Sequence, residues 1–271
     1  DAAAWKLEIG GLVRQPRTLT LADLRQRRRK TITATLECSG NSSSPGFMGA
    51  IGNMQWTGTP LAPLLKECEP YKRGIEVAFF GADTQKDELR KNEYTANFSR
   101  GLHITDALRD DLLLCYEMNG EPLPVSHGAP LRLVVPGWYG CTWIKWVNEI
   151  RLVGPDEPAT AQMTEFAGRT HQGQAFKLAR EFLPAEIQAA ATPVRVEKRR
   201  TASGIHYRIV GIVWGGTKAV DRLAIRIQPR RARPDDGAAA APAAVNAPYE
   251  PFEVCPTPTT HVMWSLWEYT W

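Results

Sequence analysis

Turn-forming clusters cut this chain into short β-prone runs, and strands and helices do not alternate regularly enough along it for a parallel βαβ sheet. The clearest run is Thr31-Ile32-Thr33-Ala34-Thr35-Leu36, whose β-branched polar and apolar residues alternate with the period of two that marks a strand with one buried face. Residues 39–46, Ser-Gly-Asn-Ser-Ser-Ser-Pro-Gly, then stop it, because such residues form turns and cannot continue a strand. Cys38 therefore sits where strand becomes loop. Further strands are expected at 76–80, 112–116, 131–135 and 146–153. The helical signals are short. Thr59 reads as an N-cap with Pro60 at the first helical position and Leu61, Leu64 and Leu65 on one face. Leu19, Leu21 and Leu24 suggest another helix, ending in the basic cluster Arg25, Arg27, Arg28, Arg29 and Lys30. The fold class expected for this half is mixed α+β.

The Gly154-Pro155-Asp156-Glu157-Pro158 break changes the character of the sequence, and the weak periodicity that follows reads as a linker over 156–191. Beyond it, runs at 194–197, 206–213 and 222–227 have the rhythm of a β-sandwich. The alanine-rich tract 238–245 is expected as a low-complexity loop between strands, and an aromatic strand carries Trp264, Trp267, Tyr269 and Trp271. The 271 residues, 43% hydrophobic and 23% charged, supply enough apolar sequence for a sizeable core and exclude a disordered or collagen-like chain; the length suits one large domain or two smaller ones, and two are expected.

Charge and cysteine content narrow the function classes. A net charge of +4 is too small to argue for nucleic acid, and the basic cluster reads first as a solvated helix end, with an anionic partner as the alternative. No run reaches the roughly 20 apolar residues that a membrane helix needs. The N-terminus shows neither an initiator Met nor a signal peptide, so a trimmed form is expected and the site of action is not readable. Cys38, Cys68, Cys115, Cys141 and Cys255 form no CxxC or CxxCH, which leaves zinc ribbons, thioredoxin-like chemistry and covalent haem without support. Cys38 alone is a nucleophile, a metal ligand or a buried thiol; none of His103, His127, His171, His206 and His261 is marked as a base for it.

A series of motifs is more specific than any single residue. Glu37-Cys38-Ser39-Gly40-Asn41 is followed by residues 51–61 (IGNMQWTGTPL), 116–124 (YEMNGEPLP), 127–132 (HGAPLR), 135–140 (VPGWYG) and 144–146 (IKW). In this order they resemble the sulfite oxidase family of molybdopterin-dependent oxidoreductases, from about Trp5 to Val153. A weaker resemblance, through 211–216 and 264–267, extends to that family's immunoglobulin-like dimerisation domain. The resemblance implies a molybdopterin-binding catalytic domain at 1–155, a linker at 156–191 and an immunoglobulin-like β-sandwich at 192–271 that lacks its last strands, in a chain shortened at both ends.

The resemblance also implies a site. Cys38 corresponds to the protein's thiolate ligand to molybdenum, a soft donor suited to a sulfur-rich metal centre. Asp83, His127, Arg132, Trp143, Ile144 and Lys145 correspond to cofactor-binding positions, with the Arg132 fork suited to phosphate. On the substrate side Phe98 stands where the family's active-site tyrosine is expected, Ser42 and Ser43 stand where sulfite-oxidising members carry arginines, and Arg100 with His103 is expected to restore a cationic pocket. The implied activity is two-electron oxygen-atom transfer on a small oxyanion or oxide, with electrons passed to a separate carrier such as a cytochrome. Alternatives are reduction of S- or N-oxides on the same centre, and an inactive binding member of the family. A homodimer and a periplasmic location are implied by the family alone.

Overall fold

The computed structural model describes residues 4–41, 47, 49–83, 85–89, 92–227, 248–254 and 256–271, with backbone alone at 85–89 and 92–96. Ser42, Ser43, Cys255 and the alanine-rich tract lie outside the described residues. The chain divides into two compact units, Asp1–Ile187 and Gln188–Trp271.

The first unit runs through β1 (Lys6–Gly11), β2 (Arg17–Thr20), α1 (Leu21–Arg25), β3 (Lys30–Glu37), β4 (Ile51–Pro60), α2 (Leu61–Glu67), β5 (Glu76–Gly81), β6 (Gln85–Leu89) and β7 (Asn92–Ala96). It continues with β8 (Ser99–His103), α3 (Ile104–Ala107), β9 (Leu113–Met118), β10 (Glu121–Pro122), β11 (Arg132–Val134), β12 (Val147–Val153) and α4 (Ala161–Phe166). One five-stranded sheet has the order β2-β1-β12-β5-β8; a second has the order β10-β9-β4-β3, with β11 also paired to β9. Pairing in both is antiparallel except for β1 with β12. The architecture is thus dominated by sheet, and the longest of these α-helices has seven residues.

Burial explains why the run at 112–116 shows no alternation. Leu112, Leu113, Leu114, Cys115 and Tyr116 are all buried, as on a strand covered on both faces. Around them pack Trp56, Phe79, Leu133, Trp143 and Ile150, together with Leu61, Leu64 and Leu65 of α2. Each such side chain contributes about 1.5–3 kcal/mol when fully removed from water.

Two local expectations fail. Thr59 does not cap α2: β4 continues through Pro60, which occupies the cap position without a side-chain hydrogen bond, while the Thr59 hydroxyl donates to the Leu24 carbonyl at 2.7 Å. Leu19 belongs to β2, and α1 starts at Thr20, whose hydroxyl accepts from the Asp23 amide in a capping box. The basic cluster lies at the surface, with Arg25, Arg28 and Arg29 exposed as at a solvated helix end, and several of its members also find partners there. Arg27 forms a two-pronged pair with Glu67 at 2.7 and 2.9 Å, Arg29 pairs with Glu117, and Lys30 donates to the Asp110 carbonyl.

Residues 156–187 belong to the first unit. Thr160 caps α4 by accepting from the Met163 amide, its own hydroxyl donates to the Ser99 carbonyl, and Met163 is buried.

The second unit contains β13 (Ala190–Thr201), β14 (Gly204–Trp214), β15 (Arg222–Ile225), β16 (Glu250–Glu253) and β17 (Ser265–Thr270). They form a three-stranded antiparallel sheet, β13-β14-β17, and a two-stranded ladder, β15-β16. Arg208 bridges Glu197 and Glu268 across the larger sheet. The core of this unit is Val213, Val254 and Trp267, with Ile209, Leu223, Phe252 and Tyr269 against it. Gly211 makes room for Trp267, since a Cβ there would lie 2.1 Å from the indole.

Candidate functional site

β3 carries Cys38 into a tight turn. The Cys38 amide donates to the Ala50 carbonyl, the Asn41 amide returns to the Cys38 carbonyl, and the Asn41 side chain joins the Glu37 carboxylate to the Ala50 amide. The Gly40 amide donates to the Cys38 Sγ at 3.4 Å. The sulfur opens into a cavity of about 620 Å³.

Five of the residues picked from the sequence meet around that cavity besides Cys38: Phe98, His127, Arg132, Trp143 and Lys145 all line it. Arg132 is 3% exposed and faces the rings of Trp56 and Trp143, 5.0 and 5.8 Å from their centroids. Its two terminal nitrogens donate to the carbonyls of His127 at 3.0 Å and Trp143 at 3.1 Å. The fork thus fastens the 127–143 loop to β11, and Nε is left buried without a partner. Burial pulls the Arg132 pKa down to about 10, still protonated at neutral pH. Burial, then the charges of Arg132 and Lys145, hold the His127 pKa below its ordinary value, so its imidazole is neutral near pH 7.

Lys145 donates to the Ser126 carbonyl and places its ammonium 5.0 Å from the Phe98 centroid and 4.0 Å from that of Trp146. Burial lowers its pKa, assisted by Arg132 and opposed by Asp83. The Phe98 and Trp146 rings meet edge to face at 5.7 Å. Gly128 permits the packing of Lys145: its φ is +105°, and a Cβ would fall 2.9 Å from the Lys145 Cα.

The remaining picks stand elsewhere. Asp83 lines a second cavity, of about 520 Å³, with Trp5, Ala82, Val125, Ala129, Pro130 and Trp146. Its carboxylate accepts twice from the Phe98 amide, so it reaches the first cavity through that backbone. Ile144 is wholly buried in the core and acts through its main chain, accepting from the Leu133 amide. Arg100 does not line the Cys38 cavity. It is held on β8 in a third cavity, because Phe182 and Leu183 of the 156–187 segment cover it, and His103 lies there too. The cationic pocket expected from Arg100 and His103 is therefore separate from Cys38.

Sequence reasoning missed Gln162 and Phe166, both on the cavity wall. Gln162 accepts from the Ser99 amide at 2.6 Å and donates to the Cys141 carbonyl at 2.8 Å, tying α4 to β8 and to the loop that carries Cys141. The signal was the N-cap Thr160, which marks a helix inside the segment read as linker.

Among the described residues no three His, Cys, Asp or Glu side chains converge as a metal site would require. Cys38 supplies one soft ligand, and a cofactor that brings its own donors would complete the shell of a metal bound to it. The unsatisfied Arg132 Nε and the aromatic walls suit a large, planar, anionic group.

Residues 1–161 match the family described as oxidoreductase molybdopterin binding domain. The chain belongs to this family. It is 34% identical to the sulfite oxidase of Gallus gallus over 184 residues, covering 62% of this chain and 39% of that protein. It is 29% identical to the mitochondrial sulfite oxidase of Rattus norvegicus over 244 residues, 82% of this chain and 43% of the relative. Inducible nitrate reductase [NADH] 2 of Glycine max is 34% identical over 161 residues, 54% of this chain and 18% of the relative. The chain thus spans about two fifths of the length of these two sulfite oxidases and less than a fifth of the nitrate reductase. The crystal structure of the sulfane dehydrogenase SoxCD from Paracoccus pantotrophus superposes with a TM-score of 0.70 at 23% identity, covering 100% of this chain and 64% of that one, which shows a shared fold. The cofactor of the sulfite oxidase-like family is molybdenum–molybdopterin, and the Cys38 cavity fits it.

Proposed function

We propose that the protein is a sulfite oxidase-like oxidoreductase acting on a small oxyanion or oxide. The observation that carries this reading is the Cys38 side chain opening into a large cavity that is also lined by the buried Arg132, whose Nε has no partner. When bound, the cofactor supplies two-electron oxygen-atom transfer.

The chain's own residues then have separable tasks. Cys38 would hold the metal, and the Gly40 amide donates to its sulfur. Arg132 and Lys145 provide positive potential from buried and half-buried positions, where it is screened least. His127, neutral near pH 7, is able to donate or accept a proton at an imidazole nitrogen. Phe98, Phe166 and Met54 exclude water from the apolar side of the cavity. Gln162 is fixed at both ends of its amide and sets the position of α4 against the opening.

Sulfite as the substrate, a separate cytochrome as electron carrier, an immunoglobulin-like second unit that forms a homodimer, and a periplasmic location extend this reading. Their support is the resemblance to sulfite oxidases together with the strands β13 to β17 of the second unit.

The test is expression in a molybdopterin-competent host, followed by metal analysis and turnover of sulfite, thiosulfate and S-oxides with artificial electron acceptors and donors. Stoichiometric molybdenum and oxidation of a sulfur oxyanion are expected. Protein without molybdenum, or a Cys38→Ala variant that retains metal and turnover, overturns the proposal.

A further inference from the structure

The third cavity, of about 270 Å³, is lined by Arg100, Glu76, His103, Asp106, Arg180 and Leu183 among others. Arg100 is 2% exposed, yet among the described residues its guanidinium makes a single hydrogen bond, from Nη2 to the Leu183 carbonyl at 3.2 Å. Its Nε is buried without a partner. Among the described residues no carboxylate comes within 4.0 Å of the guanidinium, although Glu76 shares the cavity. A guanidinium stays charged in a protein, and a buried charge is costly unless an opposite charge or a full set of hydrogen bonds meets it. Here the described residues provide one carbonyl and the face of Phe182.

We propose that this cavity binds a small oxyanion of the sulfate class on Arg100, at a site separate from the Cys38 cavity. The planar guanidinium presents unspent N–H groups in the fork geometry that tetrahedral and pyramidal oxyanions accept. The volume accommodates such an anion together with water. Arg180, exposed at the rim, adds a second positive charge. Glu76 and Asp106 oppose binding when ionised. Burial raises the Glu76 pKa to about 7, so a large share of it is neutral near physiological pH and offers a proton to an anion oxygen. The two cavities are neighbours through Cys141: its thiol lies on the Cys38 cavity, and the charge of Arg100 acts on it. The assignment stands without the redox reading, because it rests on Arg100 and not on the cofactor.

The experiment pairs crystallography with calorimetry. Crystals of the wild-type protein soaked in selenate are measured at the selenium edge, and sulfate is titrated into wild type, Arg100→Gln, Arg100→Lys, Arg180→Ala and Cys38→Ser. A selenium peak within hydrogen-bond distance of Arg100 is expected. Removing a charge-assisted hydrogen bond in Arg100→Gln should weaken sulfate binding at least about tenfold, with a smaller loss in Arg180→Ala. Cys38→Ser should bind sulfate as wild type does, which separates this site from the cofactor cavity even if the protein holds no molybdenum. A cavity without selenium, unchanged sulfate affinity in Arg100→Gln, or a selenium peak with no measurable affinity in solution (an adventitious ion only) overturns the proposal. Should Arg100→Gln fail to fold, the selenate map and Arg100→Lys, which keeps the charge but not the fork and is expected to bind more weakly, decide it.

Discussion

Both oxygens of the Asp83 carboxylate accept from one backbone amide, that of Phe98, at 3.0 and 2.9 Å. This bond links the 520 Å³ cavity, which Asp83 lines, to the 620 Å³ cavity, which Phe98 lines. It also sets the ring of Phe98 against Trp146 and under the Lys145 ammonium.

Asp83→Ala therefore leaves a partly buried amide without its acceptor. A destabilisation of about 1–3 kcal/mol is expected from thermal or urea unfolding, together with a fall in molybdenum content as Phe98 leaves the cavity wall. Asp83→Asn retains one carbonyl oxygen and should lose less on both measures.

Cys38 offers the opposite combination. Its side chain is half-buried, outside the hydrophobic core, and the turn around it is held by main-chain bonds and Asn41. Cys38→Ser should change stability by less than about 1 kcal/mol while abolishing retention of the metal, because a hydroxyl is a poor substitute for a soft thiolate. Molybdenum per chain, measured beside the unfolding midpoint, checks both halves of this expectation. A variant that loses metal only because it unfolds would contradict it.

Gly128 tests whether the loop geometry matters to the cation. At φ +105° an alanine is strained by about 1–3 kcal/mol, and its methyl group would fall 2.9 Å from the Lys145 backbone. Gly128→Ala should therefore displace Lys145 and reduce cofactor retention more than Lys145→Met does, since the latter keeps the loop and removes only the charge. Metal content of the two purified variants gives the comparison.

How far the sequence revealed this arrangement depended on the range of the forces involved. Alternation at 31–36 and the turn formers after Cys38 are local signals; β3 appears where the first placed it, and of the turn the described part, Ser39 to Asn41, follows it. Thr59 misled because β4 pairs with β9 as far as Pro60, a tertiary pairing that outweighs a capping preference. Arg100 could not be placed from its neighbours in the chain. It sits on the edge strand β8, and which cavity receives its guanidinium is decided by Phe182 and Leu183, more than 80 residues away in sequence. Gln162 and Phe166 escaped for a related reason: the weak amphipathic pattern of α4 reflects a helix whose side chains are divided between a cavity, β8 and solvent.

Glu76 provides a pH test of the third cavity. The residue is 3% exposed, and burial raises its pKa from 4.5 to about 7, with Arg100 opposing the shift and Asp106 adding to it. Between those two values the folded protein binds more protons than the unfolded chain, so unfolding free energy falls as pH rises through the window. Below about pH 4.5 both states are protonated and nothing is lost; above about pH 7 both are ionised and the full penalty, roughly 3 kcal/mol at most, is present. Glu76→Gln carries no such proton. Its stability relative to wild type should therefore rise from pH 5 to pH 8, because contributions from groups distant from Glu76 cancel in the difference. Urea unfolding of both proteins at unit intervals across that range, in buffer free of sulfate and phosphate so that Arg100 stays unliganded, measures it directly. A difference that is flat with pH would mean that Glu76 is ionised throughout and sits closer to a positive charge than the cavity geometry allows.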